Sequence, residues 1–196
     1  MSDVIHDFTV KVPRWRPYVT PVDLARATPE QLDALQVTPS NTKVSDYVLV
    51  LAHDPESLSH RSPLFNAIMY GTDGLSRAER ELGATGASIV NHCVYCAAVH
   101  ADRFIALTKR ADVIETIFEN GTEAEIEEHL QAIFDFAVKL SRSPSEASAE
   151  DVATLKALGL SDLEIVDLVL SAAIFGWANR LMHTLGEPVR VEPTQR

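Results

Sequence analysis

Helix-start signals recur along this chain from residue 28 onwards. Thr28-Pro29-Glu30-Gln31 combines a capping Thr, a Pro at the first helical position and a Gln at the third. Ser76-Arg77-Ala78-Glu79 and Ser161-Asp162-Leu163-Glu164 are capping boxes of the same kind. The one convincing alternation of apolar and polar residues is Phe8 to Val12, and five residues cannot form a sheet alone. The sequence therefore predicts an all-α protein.

The chain divides into three predicted parts. Residues 1–62 contain several prolines and are expected to form an N-terminal extension with short helices. Residues 63–186 are expected to form the helical core, and residues 187–196 a polar, irregular tail. Within these parts, Asp54-Pro55 and Ser62-Pro63 should each start a helix, and Thr122 should cap a long helix that ends near Leu140.

Composition indicates which classes of binding partner and which cellular compartment are expected for this protein. The formal net charge is −11, from 28 acidic and 17 basic residues, and no basic stripe offsets it, so a nucleic-acid partner is not expected. The N-terminus carries acid where a secretory signal carries Lys or Arg. The longest apolar run, Ile165 to Trp177, is shorter than the ~18 residues of a membrane span. We expect a cytoplasmic protein that does not enter membranes.

The same apolar run predicts an assembly. A domain of this size has difficulty burying several strongly apolar helices in one core, and exposed apolar patches usually mark subunit contacts. The sequence therefore predicts a homo-oligomer. The apolar residues that suggest this are Leu168, Val169, Ala172, Ala173 and Phe175.

Cys93 and Cys96 are the only cysteines, and they are spaced as Cys-x-x-Cys. Two thiols at this spacing can form a disulfide within one turn of chain or share a metal, and in a reducing compartment they stay reduced unless redox change is their function. If the segment is helical, Cys93, Cys96 and His100 lie on one face. The chain between Glu81 and Cys93 is long enough for the preceding helix to fold back, so that Glu81 could point at the thiols or at His100.

Each of these residues also has an ordinary structural interpretation. A single Glu is most often solvated, and a single His is more often packed than catalytic; His92 could simply cap the helix, and Tyr95 could belong to the core. A closed zinc site needs four ligands, which one helix cannot easily wrap around a metal. The cysteine pair itself therefore favours redox chemistry, with no metal and no cofactor.

Two arguments bear on which thiol attacks. The helix dipole favours Cys93 as the more acidic thiol, by about 0.3–1 kcal/mol at an exposed helix end. His100 lies one turn after Cys96, and a positioned base contributes on the order of 10²–10⁴ in rate. The base should outweigh the dipole, so we expect Cys96 to attack.

The joint spacing of Glu81, Cys93-x-x-Cys96 and His100 resembles the alkylhydroperoxidase (AhpD-like) branch of the carboxymuconolactone decarboxylase-like superfamily. Residues 75–82 and 91–100 look like the core of that family, and a looser resemblance extends from Leu64 to Leu185. The length and the C-terminal segment resemble the members called peroxidase-related enzymes. One departure is Tyr95, which stands where the best-known member has a second histidine.

The resemblance implies a helical, homo-oligomeric thiol peroxidase with a Glu–Cys–Cys–His proton relay. In this reading Cys96 attacks the peroxide, Cys93 resolves the product, and an external dithiol, such as a lipoyl group or thioredoxin, restores the pair. A general dithiol–disulfide oxidoreductase is the alternative enzyme, and a redox sensor or metal clip is the non-enzymatic alternative. The natural peroxide and the reductant stay open at this stage.

Overall fold

The protein is described here by a computed structural model that covers residues 3–36 and 38–191. Over these residues the chain is mostly helical, which agrees with the predicted all-α class. A short 3-10 turn comprises Gly121–Glu123. In chain order the elements are β1 (Arg14–Pro17), α1 (Pro29–Ala34), α2 (Asp46–Leu51), α3 (Pro55–Tyr70), α4 (Arg77–Val90), α5 (Val94–Thr108), α6 (Ala111–Asn120), α7 (Glu128–Ser141), α8 (Ala149–Ala157), α9 (Asp162–Leu185) and β2 (Gly186–Val189).

Helix α4 lies at the centre of the molecule and packs against α5, α7 and α9. Its glycines allow this close approach, because a Cβ on Gly83 would lie 3.0 Å from Leu168 and one on Gly86 would lie 3.1 Å from Ala137. Large apolar side chains that are fully buried fill the space around α4; they include Leu82, Phe104, Ile114, Ile133, Phe134 and Leu168. The Cys-x-x-Cys segment begins directly after α4, the helix at the centre of this core.

The predicted helix starts are confirmed where capping boxes were identified. Thr28, Ser76 and Ser161 each accept a hydrogen bond from the backbone N–H three residues on, and the side chain of that third residue accepts one from the backbone N–H of the cap. Helix α8 begins in the same way at Ser148. These local hydrogen bonds satisfy N–H groups that a helix N-terminus otherwise leaves unpaired.

Two predicted helix starts are wrong. Ser62-Pro63 does not start a helix, because α3 continues through Pro63 from Pro55 to Tyr70. Burial of Leu58 and Phe65 on either side holds one continuous helix despite the backbone bond that Pro removes. Thr122 does not cap α7 either; it lies in the 3-10 turn, and α7 begins only at Glu128.

A small two-stranded sheet joins the two ends of the described chain. Strand β1 pairs antiparallel with β2. It lies just after the alternating stretch Phe8 to Val12, which does not itself form a strand. The tail was expected to be irregular from residue 187, yet Glu187 to Val189 are paired; residues 192–196 lie outside the described part. Trp15 is buried beneath the sheet and donates from Nε1 to the carbonyl of Met182 at 3.2 Å.

Helix α9 is long and apolar enough to cross a membrane by length and composition, which the sequence analysis did not anticipate. It packs against α4, α7 and α3, as a core helix does. Three of its residues predicted to mark a subunit contact, Leu168, Ala172 and Phe175, are instead buried within the subunit. Other apolar residues of α9 are exposed, as described in the Discussion.

The start of α4 is fixed by a buried arginine. Arg80 is 1% exposed and donates to the carbonyls of Ile68, Gly71 and Asp73 and to the carboxylate of Asp167, at 2.6–3.1 Å. A buried charge is tolerated only when it is paired and hydrogen-bonded. This arrangement ties the α3–α4 loop to α9 and so fixes the first turns of α4, which carry Glu81.

Candidate active site

The cysteines lie at the turn between α4 and α5. The turn closes through backbone hydrogen bonds, including one from the Cys93 N–H to the carbonyl of Ser88 at 2.9 Å. His92 has a left-handed backbone (φ 52°), and Cys93 is the N-cap of α5. Both thiols are free and buried, with Cys93 2% and Cys96 5% exposed.

The side chain of Asn179, from α9, lies beside both thiols and acts to lower the pKa of each. It is fully buried, donates to the hydroxyl of Ser88 at 3.3 Å, and accepts from the amide of Asn91 at 3.2 Å. Sequence reasoning did not identify it. The available signal was a polar residue within the otherwise apolar stretch of α9, since buried polar groups require partners.

The two thiols are inequivalent. The Cys96 thiol donates a hydrogen bond to Cys93, which lowers the pKa of Cys93, and the backbone N–H of Cys96 and the amide of Asn179 lower it further. The same contact with Cys93, together with burial, raises the pKa of Cys96 well above its ordinary value. Cys93 is therefore the more readily ionised thiol of the pair, as the helix dipole also favours.

Glu81 and His100 are joined across α4 and α5. A hydrogen bond links the Nδ1 atom of His100 to Oε2 of Glu81, and both side chains are buried. The other carboxylate oxygen of Glu81 accepts from Nε of Arg77 at 2.8 Å. Arg77 also donates to the carbonyl of Met69 and lies over the ring of Tyr70, 3.6 Å from its centroid. Arg77 is a second site residue that sequence reasoning missed.

Burial is the largest influence on both members of this pair. It acts to raise the pKa of Glu81, but the charges of His100 and Arg77 outweigh it, and the carboxylate has a lowered pKa. Burial lowers the pKa of His100, and Glu81 offsets this only in part. At neutral pH the pair is therefore an ionised carboxylate and a neutral imidazole. We assign the imidazole proton to Nδ1 from the hydrogen bond to Glu81.

A cavity of about 350 Å³ opens beside the cysteines, lined by Cys96, His100 and Tyr95. Cys93 is not among its lining residues, so it lies behind Cys96. Across the described residues, no hydrogen bond joins His100 to either thiol, but His100 and Cys96 face the same space. The remaining walls include Tyr47, Arg61, Phe65, Arg103, Phe175 and Met182.

The structure thus brings together five of the six residues selected from the sequence. Glu81, His100, Cys93 and Cys96 adjoin one another, and the half-buried Tyr95 lines the same cavity. His92 is not part of this group: it is exposed, and its ring stacks on Phe8 with 6.4 Å between centroids. It also does not cap α5.

Metal ligands do not cluster in the part of the chain that the structure describes. Within residues 3–36 and 38–191, no three His, Cys, Asp or Glu side chains are grouped so that they could hold a metal ion. A structural zinc site uses four such ligands. The geometry therefore adds no support to the metal-clip alternative.

This chain resembles known proteins both in sequence and in fold. Residues 55–139 match the model of the carboxymuconolactone decarboxylase family. The crystal structure of an alkylhydroperoxidase AhpD core, an uncharacterised peroxidase-related protein from Ralstonia eutropha, superposes with a TM-score of 0.76 at 28% identity, over 92% of this chain and 94% of that chain. A peroxidase-related protein from Silicibacter sp. gives 0.71 at 25% identity, over 90% and 95%.

The apo form of the debrominase Bmp8 shares the fold, with a TM-score of 0.73 at 20% identity, over 90% of this chain and 94% of that chain. No curated protein matches the sequence. Fold and site together define a helical protein built around a buried pair of reduced thiols. The chain resembles the AhpD-like, peroxidase-related proteins in fold, and its residues 55–139 match the carboxymuconolactone decarboxylase family.

Proposed function

We propose that this protein is a thiol-dependent peroxidase that reduces organic hydroperoxides at Cys96. The supporting observation is that Cys96 lines the cavity together with a neutral, buried imidazole, while Cys93 lies directly behind it as the favoured thiolate. One thiol is thus accessible to a substrate, and the other is the more readily ionised and is positioned to resolve the product.

The first step is attack of the Cys96 sulfur on the outer peroxide oxygen. The Cys96 proton passes to Nε2 of His100, the O–O bond breaks, and Cys96 becomes a sulfenic acid. The departing alkoxide takes the proton from the imidazolium and leaves as an alcohol. Glu81 stays ionised between Arg77 and His100, so its role is to orient and stabilise the imidazolium rather than to take the proton itself.

The second step forms the disulfide. The Cys93 thiol releases its proton to solvent, the resulting thiolate attacks the sulfenic sulfur of Cys96, and the departing hydroxide takes up a proton from solvent and leaves as water. The sum is two thiols and one hydroperoxide giving one disulfide, one alcohol and one water. An external dithiol, which we propose to be a lipoyl group or a thioredoxin-like protein, returns the pair to the reduced state by exchange. This cycle requires a reducing compartment and fits the expected cytoplasmic location.

A steady-state assay with cumene hydroperoxide tests the proposal. The reductants would be dihydrolipoamide, thioredoxin with its reductase, and glutathione. We expect turnover with at least one of the two dithiol systems, and loss of at least about 10³-fold in Cys96→Ser, because the nucleophile is removed. Glu115→Gln, exposed on α6 and not among the cavity residues, serves as a control. Absence of turnover with all reductants would reject the proposal.

The same purified protein and reductants distinguish a peroxidase from the three alternative functions. A general dithiol–disulfide oxidoreductase would reduce small disulfides with the Cys pair while ignoring peroxide. A redox sensor would form the disulfide once, without turnover. A metal clip would purify with stoichiometric zinc that resists mild chelation, which would overturn the peroxidase assignment.

A further inference from the structure

Arg61, on α3, forms part of the cavity wall that faces the thiol site. Its guanidinium carbon lies 4.4 Å from the centroid of the Phe65 ring and 5.8 Å from that of Tyr47. The group is partly buried, and burial lowers its pKa, but an arginine stays charged at any physiological pH. A fixed positive charge therefore faces the cavity.

Within residues 3–36 and 38–191, no protein group neutralises this charge. Among the described residues, Arg61 has no hydrogen bond and no ion pair, and its buried Nε atom has no acceptor. The other arginines near the site differ, since Arg77 is paired with Glu81 and Arg80 with Asp167. A desolvated cation is normally paired, so an unpaired one in a cavity indicates an anionic occupant.

Tyr47 supplies a second unsatisfied donor in the same wall. Its hydroxyl is buried and has no partner in the described part of the chain, and burial raises its pKa, so the phenol keeps its proton. Phenol O–H and guanidinium N–H groups both donate. The same cavity is also lined by apolar side chains, including Phe175, Ala178 and Met182.

Arg103, the other cation of the cavity, is less suited to bind an anion. It donates to the amide oxygen of Asn41 at 3.4 Å and stands next in sequence to Asp102, an exposed acid that also lines the cavity. The cation without polar partners is thus a single guanidinium. One charge matches a monoanion, and its planar pair of N–H groups matches a carboxylate.

We propose that Arg61 and the hydroxyl of Tyr47 form a subsite for the carboxylate of an organic substrate, whose apolar body lies along Phe175 and Met182 and whose reactive end reaches Cys96. The identity of that reactive end as a hydroperoxide rests on the function proposed above. The binding part of the inference does not depend on it.

Direct binding tests the subsite without turnover. Calorimetry on the reduced full-length protein would compare para-isopropylbenzoate with para-isopropylbenzyl alcohol, which differ in the carboxylate. We expect the carboxylate to bind at least about 10-fold more tightly, as charge-assisted hydrogen bonds in a desolvated site allow. Equal affinity for the two would overturn the proposal.

Variants of the cavity residues test which positive charge binds the carboxylate. Arg61→Met should weaken the carboxylate at least about 10-fold and the alcohol less than about 3-fold, and Arg61→Lys should recover part of the loss. Tyr47→Phe should weaken the carboxylate by a smaller factor. Arg103→Met should leave the preference in place. Loss of the preference in Arg103→Met but not in Arg61→Met would also overturn the proposal. Thermal unfolding of each variant verifies that it is folded.

A kinetic arm separates this inference from the peroxidase proposal. Cumene hydroperoxide and its para-carboxy derivative would be compared as substrates. We expect Arg61→Met to raise KM for the carboxylated peroxide about 10-fold more than KM for cumene hydroperoxide. Turnover of both peroxides with no charge preference would reject the subsite and keep the peroxidase. A carboxylate preference in binding with no peroxide turnover would reject the peroxidase and keep the subsite.

Discussion

His100 is bound to Glu81 through Nδ1, which leaves Nε2 as the one ring nitrogen able to accept a proton from the cavity side. The ring is fixed on its other side by Phe175, whose centroid lies 4.1 Å away at an interplanar angle of 70°. Because the imidazole is held between a carboxylate and an aromatic edge, its position changes little when a substrate enters. This is the arrangement that a positioned base requires.

The activity of the enzyme should fall at acid pH as His100 becomes protonated. Burial lowers the pKa of His100, so the acid limb of kcat/KM should lie below the ordinary value of about 6.5. In Glu81→Gln the limb should move to still lower pH, because the imidazolium loses its anionic partner, and the rate should fall about 10-fold or more. A pH profile of both proteins measures this, with the exposed Glu115→Gln as control; a limb above 6.5 would contradict the expectation.

Folding stability should also decrease on mild acidification. An unfolded chain protonates histidine near pH 6.5, whereas His100 in the folded protein stays neutral to lower pH. The unfolded state therefore binds more protons, and the free energy of unfolding falls as the pH drops from about 6.5 through the folded pKa. Urea unfolding at about pH 7.5 and about pH 5.5 tests this. His100→Gln should show a smaller change, and an equal change would assign the effect to other groups.

Trapping of sulfenic acid distinguishes access from acidity at the thiols. After one equivalent of peroxide, Cys93→Ser should form a dimedone adduct at Cys96, because Cys96 lines the cavity. Cys96→Ser should form little adduct, although Cys93 is the more acidic thiol, because Cys93 does not reach the cavity. Mass spectrometry of the two variants decides the point, and the reverse pattern would show that the ionised thiol attacks.

Asn179 should keep the thiol pair in its reactive state. Its amide lowers the pKa of both Cys93 and Cys96, so Asn179→Ala should raise the thiol pKa values, read from thiolate absorbance in the ultraviolet. We expect disulfide formation after peroxide to slow about 10-fold, the size of one lost hydrogen bond to a charged group. Asn91→Ala, which contacts Asn179 but not the thiols, should have a smaller effect. Equal effects would indicate a purely structural role.

An exposed apolar stripe on α9 should form a subunit contact. Leu163, Val166, Leu170 and Trp177 are 41–52% exposed, and with Ala173 they follow the alternating spacing of three and four residues typical of paired helices. We therefore propose a homo-oligomer assembled through this face. Leu170→Glu should shift the mass measured by light scattering towards the monomer, whereas Leu107→Glu, on the exposed side of α5, should not. A monomeric wild type would contradict the proposal.

The sequence predicted those parts of the site that depend on local spacing. Capping residues such as Ser76 act within one turn, and Glu81 and His100 lie on consecutive helices that pack antiparallel, so their meeting follows from a short connection. Asn179, Arg61 and Tyr47 reach the site from distant segments, and only tertiary packing determines which side chains meet there. The path of α3 through Pro63 likewise depends on burial rather than on local preference.

The pairing of β1 with β2 brings the two ends of the described chain together. A change in the packing of this sheet therefore affects the surroundings of the thiols. Gly186 lies so close to Trp15 that a Cβ there would meet the indole ring at 2.3 Å. Trp15 in turn belongs to the same apolar cluster as Cys93 and Cys96 and meets the ring of Tyr47 edge-on, 5.8 Å between centroids. A side chain at Gly186 would thus displace Trp15 and disturb the apolar packing around both cysteines.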